Sequence, residues 1–243
     1  MKNLLPKDGT VEYLGKIFTE EQSSVYYVKL MNEINWQNDI VKIFGKEIIT
    51  KRKVSWYGDE AFQYKYSGKT KIAENWLEFL TTIKSTVEEI SGCTFNSCLL
   101  NLYHNGSEAM SWHSDNEKEI LENSAIASVS FGAERKFGFR HNSTKEEISL
   151  MLENGSVLIM KDEVQKFWKH KLYSYNLYYV KLYLFQFTFN CKKFISSTSI
   201  KLNLPQSKLF LFLKTNNSLC LIIHYKAFQI ILELMIYLPK NIN

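Results

Sequence analysis

Apolar residues recur at helical spacing twice in the first ninety positions, and then the period shortens. Residues 18 to 36 (FTEEQSSVYYVKLMNEINW) begin with Thr19, a capping residue type, and place Val25, Val28, Leu30, Met31 and Ile34 at mostly helical intervals, which predicts a first helix. From Ala73 to Ser91, Trp76, Leu80, Ile83, Val87 and Ile90 fall on one stripe and predict a second. Beyond it come SCLLNLY, AIASVSFG, KFGFRH, ISLML and GSVLIM, short segments with β-branched or alternating apolar residues, separated by turn-like clusters such as HNGSE and LENG. Two helices followed by a run of strands predict an α+β protein whose strands form a β sandwich or barrel. Neither an internal repeat nor a low-complexity linker interrupts the chain up to His170.

Composition adds a boundary to this pattern. The 243 residues and 45% hydrophobic content suffice for one domain with a real core, or a small domain with an extension, but not for two full domains. The net charge of +5 is unevenly spread, with a balance of −3 up to His170 and +8 from Lys171 onward. All ten Gly, all five Trp, every Asp and all three Arg lie before His170. A segment without glycine lacks the residue that folded chains use wherever φ must be positive. The tail is rich in Lys, Asn, Ile, Leu, Phe and Tyr, residues of AT-rich codons. We therefore expect a domain over 1–190 and an atypical tail over 191–243, read from a shifted frame or an unspliced intron. Within the tail, Leu219 to Leu238 is long enough to span a membrane, but His224, Lys226 and Glu233 in its interior argue against that. No secretory signal opens the chain, and Cys93, Cys98, Cys191 and Cys220 show no CxxC spacing. These features predict a monomer in a reducing, cytoplasmic or nuclear setting, without a membrane.

Two features carry candidate chemistry. In SWHSDNE, His113 and Asp115 stand two apart, so on an extended strand both side chains leave one face. With His170, two imidazoles and one carboxylate bound facially would leave three positions open on Fe(II), as a bidentate 2-oxo acid and dioxygen require. HxD alone is a short pattern, equally suited to a surface turn between Ser114 and Asn116. The second feature is a basic segment: Lys42, Lys46, Lys51, Arg52, Lys53, Lys65, Lys69 and Lys71 stand against Glu47, Asp59 and Glu60. It suits contact with phosphates, or a solvated pair of strands.

The strings NLYHNGSEAMSWHSDNE, IASVSFGAERKFGFRH and LENGSVLIMKDEVQKFWKH closely resemble the AlkB-type family of iron and 2-oxoglutarate dioxygenases. KIFGKEIITKRKVSWYGDEAFQYKYSG resembles the nucleotide-recognition segment of its nucleic-acid repair members. The resemblance covers nearly all of residues 1–170 in motif, order and spacing. It implies an α+β fold with a double-stranded β-helix (jelly-roll) core over about 95–190, N-terminal helices and a recognition lid over about 37–72. It further implies iron ligation by His113, Asp115 and His170, and 2-oxoglutarate contacts from Asn101 and Tyr103. Tyr66 would stack on an extruded base, Glu117 would approach the base edge, Arg52 would contact the substrate, and Phe44 would wedge into the gap left in the duplex. The implied activity uses Fe(II), 2-oxoglutarate and O2 to demethylate alkylated bases of DNA or RNA, releasing succinate, CO2 and formaldehyde. One departure bears on this: family members follow the distal His with a strand of the type RxNxTFR, whose arginines anchor 2-oxoglutarate. The stretch KLYSYNLYYVKLYLFQFTFN has no Arg, LFQFTFN follows that strand's outline only loosely, and Lys181 would supply only a point charge. The C-terminal strand and cosubstrate binding are therefore the open expectations. The alternatives are the same chemistry on a protein side chain, or an impaired homologue that retains metal or nucleic-acid binding.

Overall fold

The structure, a computed structural model, describes residues 2–43, 46–66, 69–175 and 184–191. In chain order the elements are β1 (Thr10–Lys16), α1 (Glu20–Glu33), β2 (Gln37–Ile43), β3 (Lys46–Gly58), β4 (Gln63–Tyr66), β5 (Lys69–Ile72), β6 (Glu74–Asn75) and α2 (Glu78–Ser91). They continue with β7 (Ser97–Tyr103), β8 (Met110–His113), β9 (Ile126–Gly132), β10 (Arg135–His141), β11 (Glu147–Leu152), β12 (Ser156–Lys161), α3 (Val164–Phe167), β13 (Trp168–Leu172) and β14 (Leu184–Asn190). A large sheet has the order β1-β12-β9-β14-β7-β3-β2, with β6 paired to β3; a smaller sheet runs β11-β10-β13-β8. β4 and β5 form a separate hairpin.

The strands of the large sheet alternate between two apolar environments, which explains why they read as nearly continuous hydrophobic runs. Leu100 and Leu102 of β7, Val129 and Phe131 of β9, and Val157 and Ile159 of β12 pack on the helix side with Leu30, Leu80, Ile83 and Val87. Tyr103, Ile126, Leu158 and Met160 turn the other way and meet Phe137, Phe139, Trp168 and Leu172 of the smaller sheet. Between the two sheets lies the interior of the jelly roll, where the candidate metal ligands sit.

Both predicted helices form, with altered limits or faces. Thr19 caps α1 through a capping box, its side chain accepting from the Gln22 backbone while the Gln22 side chain accepts from the Thr19 backbone N–H. The face that packs matches the expected aliphatic one only at Leu30 and Ile34. Val25 and Val28 are 54% and 56% exposed, and the helix buries Ser23 and Leu30, followed by Ile34 just past its end. That stripe is also helical in period, but Ser23 hides it from a hydrophobicity pattern. Its cause is close approach: a Cβ on Gly155 would lie 2.5 Å from Ser23 Oγ and 2.8 Å from the Phe18 carbonyl oxygen. α2 begins at Glu78, later than Ala73, because Glu74–Asn75 pairs in parallel with Tyr57–Gly58.

The C-terminal strand, open in the sequence reading, is present. Leu184–Asn190 pairs antiparallel with β7 on one side and β9 on the other, so β14 is an interior strand. Phe187 and Phe189 are fully buried. Among the described residues no helix is long and apolar enough to cross a membrane; Leu219–Leu238 lies outside them, as do Lys181 and the tail from residue 192.

If β14 is a core element, Phe187→Ala will cost about 3–5 kcal/mol of stability. Chemical denaturation of wild type and variant measures this, and a cost below about 1 kcal/mol would contradict burial of that ring.

Candidate metal centre

β8 and β13 pair antiparallel with His113 opposite His170. Their side chains enter the space between the sheets, with ring centroids 4.2 Å apart. His170 is buried, with Phe137 stacked at 5.6 Å and Phe139 at 6.4 Å. Asp115 lies two residues past the end of β8, so it reaches the site from a loop and not from the extended strand expected of HxD. That loop is held: the Asp115 backbone N–H donates to Gln165 Oε1 (2.8 Å), and Ser114 Oγ donates to the Trp168 carbonyl (3.0 Å). The carboxylate then stands between the imidazoles, with Oδ1 3.7 Å from His113 Nε2 and Oδ2 3.6 Å from His170 Nε2.

The donor chemistry fits a divalent cation. The ligand atoms of His113, Asp115 and His170 lie within 4.8 Å of one another, so one ion can reach all three. His113 Nδ1 is 2.7 Å from the Ser111 carbonyl oxygen, an acceptor only, so Nδ1 carries a proton and Nε2 is the nitrogen that faces the carboxylate. Burial, reinforced by the neighbouring His113, holds the His170 imidazole well below its ordinary pKa of 6.5. His170 is thus neutral at physiological pH, the protonation state that a metal ligand requires.

Tyr103, Met110, Ser128, Phe137 and Thr188 join the three ligands around the pocket. Asn101 and Tyr103 sit on β7, both buried. Asn101 Oδ1 accepts from Arg52 Nη1 (2.9 Å), and burial pushes the Tyr103 phenol up in pKa against the opposing pull of Arg52 and Arg135. Asp115 also borders a second, open cavity of about 300 Å³, lined by Glu117, Ile120, Leu121 and Gln165. Glu117 thus lines a space that shares Asp115 with the metal pocket but neither histidine. Tyr66 ends β4, opposite Lys69 in the hairpin register, and Phe44 lies outside the described residues.

Arg52 requires a correction. The sequence pattern groups it with surface lysines, yet it is buried while Lys51 is exposed. Successive side chains of a strand leave opposite faces, so in KRKV the middle cation goes inward. There it pairs with Asp39, which also accepts from Lys71 (2.7 Å), and touches Met110 Sδ at 3.7 Å. Burial works to raise the Asp39 carboxyl pKa, but Lys71 and Arg52 together hold it below its ordinary range. Two cations share one carboxylate, which leaves a net positive charge beside Asn101 and Tyr103. The sequence carries no signal for Asp39, whose only distinguishing neighbour along the chain is the basic segment itself.

The other buried guanidinium is committed elsewhere. Arg135 Nη2 donates to the carbonyls of Glu108 (2.7 Å) and Tyr173 (2.6 Å), tying the turn after β7 to the end of β13. On β14, matching the TF of LFQFTFN to that of RxNxTFR puts Leu184 and Asn190 where the pattern has its arginines. Both are buried, and Thr188 faces the pocket.

Comparison with known proteins agrees with this geometry. The sequence profile of the 2OG-Fe(II) oxygenase superfamily matches residues 10–176. Mouse DNA oxidative demethylase ALKBH2 is 36% identical over 166 residues, covering 65% of this chain and 66% of that protein. Its human counterpart is 33% identical over 167 residues, 64% of each. Rat alpha-ketoglutarate-dependent dioxygenase alkB homolog 3 is 37% identical over 131 residues, covering 50% of this chain and 44% of that protein. The chain thus spans between 44% and 66% of the length of these relatives. The solved structure of OsALKBH1 shares the fold, with a TM-score of 0.54 at 13% identity over 74% of this chain and 97% of that one.

Asp115→Ala removes the only carboxylate of the ligand set, so Mn(II) affinity, measured by titration calorimetry as an inert stand-in for Fe(II), will fall by at least a hundredfold. Undiminished affinity in the variant would exclude this centre.

Proposed function

Since the chain belongs to the 2OG-Fe(II) oxygenase superfamily, as an AlkB-type member, we propose that it oxidatively demethylates alkylated bases in DNA or RNA. The observation that carries this is the convergence of His113, Asp115 and His170 on one point between the sheets. Fe(II) held there would activate O2 with 2-oxoglutarate as cosubstrate, giving succinate, CO2 and formaldehyde as the products of each demethylation. The names of the mouse and human relatives, DNA oxidative demethylases, favour DNA as the substrate. We place the protein, as a monomer, in the cytoplasm or nucleus.

The protein's own part is to bind, orient and exclude. The Ser111 carbonyl fixes the His113 tautomer, Gln165 fixes the Asp115 loop, and Phe137 and Phe139 keep water from His170. We assign Glu117, two residues past the ligand Asp115, to approach the edge of the extruded base, and Tyr66, at the end of β4, to stack on it. Phe44 is the wedge in this reading. Lys51 and Lys53, on the face of β3 opposite Arg52, meet phosphates.

Arg52 takes the work that arginines of the RxNxTFR strand would do. Its guanidinium already bonds Asn101 and adjoins Tyr103, the two residues assigned to the cosubstrate, and because Lys71 shares the Asp39 carboxylate with it the cluster keeps a net positive charge. A planar guanidinium can hold the free carboxylate of 2-oxoglutarate with two parallel hydrogen bonds.

Incubation with Fe(II), 2-oxoglutarate and a methylated oligonucleotide will release formaldehyde and succinate in equal amounts, and Asp115→Ala will release neither. Succinate release that no methylated nucleic acid stimulates would remove the substrate assignment.

Arg52→Gln will weaken anaerobic binding of 2-oxoglutarate to the Mn(II) protein by roughly ten- to a hundredfold, the worth of one charge-assisted hydrogen bond. Adding Leu184→Arg to that variant will restore part of it by returning a guanidinium from β14. Unchanged affinity in Arg52→Gln would place the anchor elsewhere.

A further inference from the structure

We propose that the outer face of the smaller sheet is a second nucleic-acid contact, a cation–aromatic ladder that grips the phosphate backbone of the strand flanking the bound nucleotide. The inference rests on the nucleic-acid reading above but on different residues, all on the side of the sheet that faces away from the metal centre.

Strand alternation builds the face. On β10, Phe137 and Phe139 turn inward, so Lys136 and Arg140 turn outward; on β13, His170 and Leu172 are inside and Lys169 and Lys171 outside. The pairing of β13 with β8 shifts between His170 and Leu172, placing both Ser111 and Trp112 opposite Lys171. Trp112, one residue before a metal ligand, thereby emerges on the outer face.

There the rings and cations interleave. Lys136 Nζ lies 5.0 Å from the Tyr173 ring centroid and Lys171 Nζ 4.5 Å from it. Lys171 Nζ is also 5.6 Å from the Trp112 ring, over which the Arg140 guanidinium lies at 4.5 Å. Trp112 and Tyr173 meet edge to face at 6.1 Å. The result is one connected row from Lys136 to Arg140. Gly138, between them on β10, makes room: a Cβ there would lie 2.7 Å from Tyr173 Cε2, so glycine lets the ring lie flat on the sheet.

Charge selects the occupant. The acid facing the row is Glu147 on β11, 3.7 Å from Arg140, against Lys136, Arg140, Lys169 and Lys171. This positive face stands on a body whose balance up to His170 is −3. Rings that fix long cationic side chains reduce the entropy lost when those cations meet phosphates. Through Trp112 the row reaches β8, the edge strand that also carries His113 and Met110 of the pocket, so a strand leaving the pocket needs only to pass over that edge.

The test uses the full chain without iron or turnover, so its outcome is separable from that of the demethylation assay. Lys136→Gln, Arg140→Gln and Lys171→Gln together remove charge and keep both rings. Fluorescence anisotropy with an unmodified single-stranded 20-mer, titrated across salt, will show the slope of log K against log salt reduced by about 2, near 0.7 for each phosphate no longer neutralised. Mn(II) affinity will be unchanged, which establishes that the fold survives. If the triple variant does not fold, Lys171→Gln alone, at the centre of the row, will reduce the slope by about 0.7. The advantage of the 20-mer over a trinucleotide will also shrink in either variant. An unchanged slope in a folded variant, or an undiminished length advantage, overturns the proposal.

Discussion

His113 and His170 oppose each other across the pairing of β8 and β13, and this register decides what the interior of the jelly roll can hold. A slip of one residue would turn both imidazoles to the outer face and bring Lys171 and Trp112 inside. The inward packing of Phe137, Phe139, Trp168 and Leu172 resists that slip, since all four would have to leave the core together. Metal chemistry and sheet register are therefore one constraint. The apolar residues that stabilise the smaller sheet also keep His170 neutral and dry.

The same alternation divides labour throughout the molecule. In KRKV it sends Arg52 inward to Asp39 and Asn101 and leaves Lys51 to solvent. In RKFGFRH it gives two phenylalanines to the metal centre and two cations to the outside. A strand is a two-sided element, and in this chain both sides of several strands carry charged or metal-ligating side chains.

Much of this was legible in the sequence, for identifiable reasons. SCLLNLY, KFGFRH and GSVLIM end within a residue of β7, β10 and β12, because their apolar runs are bounded by turn-forming clusters. The metal ligands were readable from the motif and its neighbourhood. The packing face of α1 was legible only at Leu30 and Ile34, because Ser23 owes its burial to Gly155 across space and not to its own polarity. The inward turn of Arg52 was equally hidden: three consecutive cations contain no apolar signal to fix which face is which. β14 was only partly legible: LFQFTFN follows the outline of the expected strand loosely, but the absence of Gly and Arg after His170 obscured that Leu184–Asn190 pairs on both edges.

That interior position has a consequence for how the molecule is made. β7 and β9 are synthesised early, yet the strand that joins them comes after every other strand that the described residues contribute to the two sheets. Until residue 190 has left the ribosome, the nascent chain presents two long apolar strands with unpaired edges, a template for association with other chains. The pocket wall that carries Thr188 is also missing during that interval. A ribosome that stalls after the last metal ligand would thus release a polypeptide with all three ligands and an open sheet, so the final strand sets the order in which solubility and metal binding are acquired.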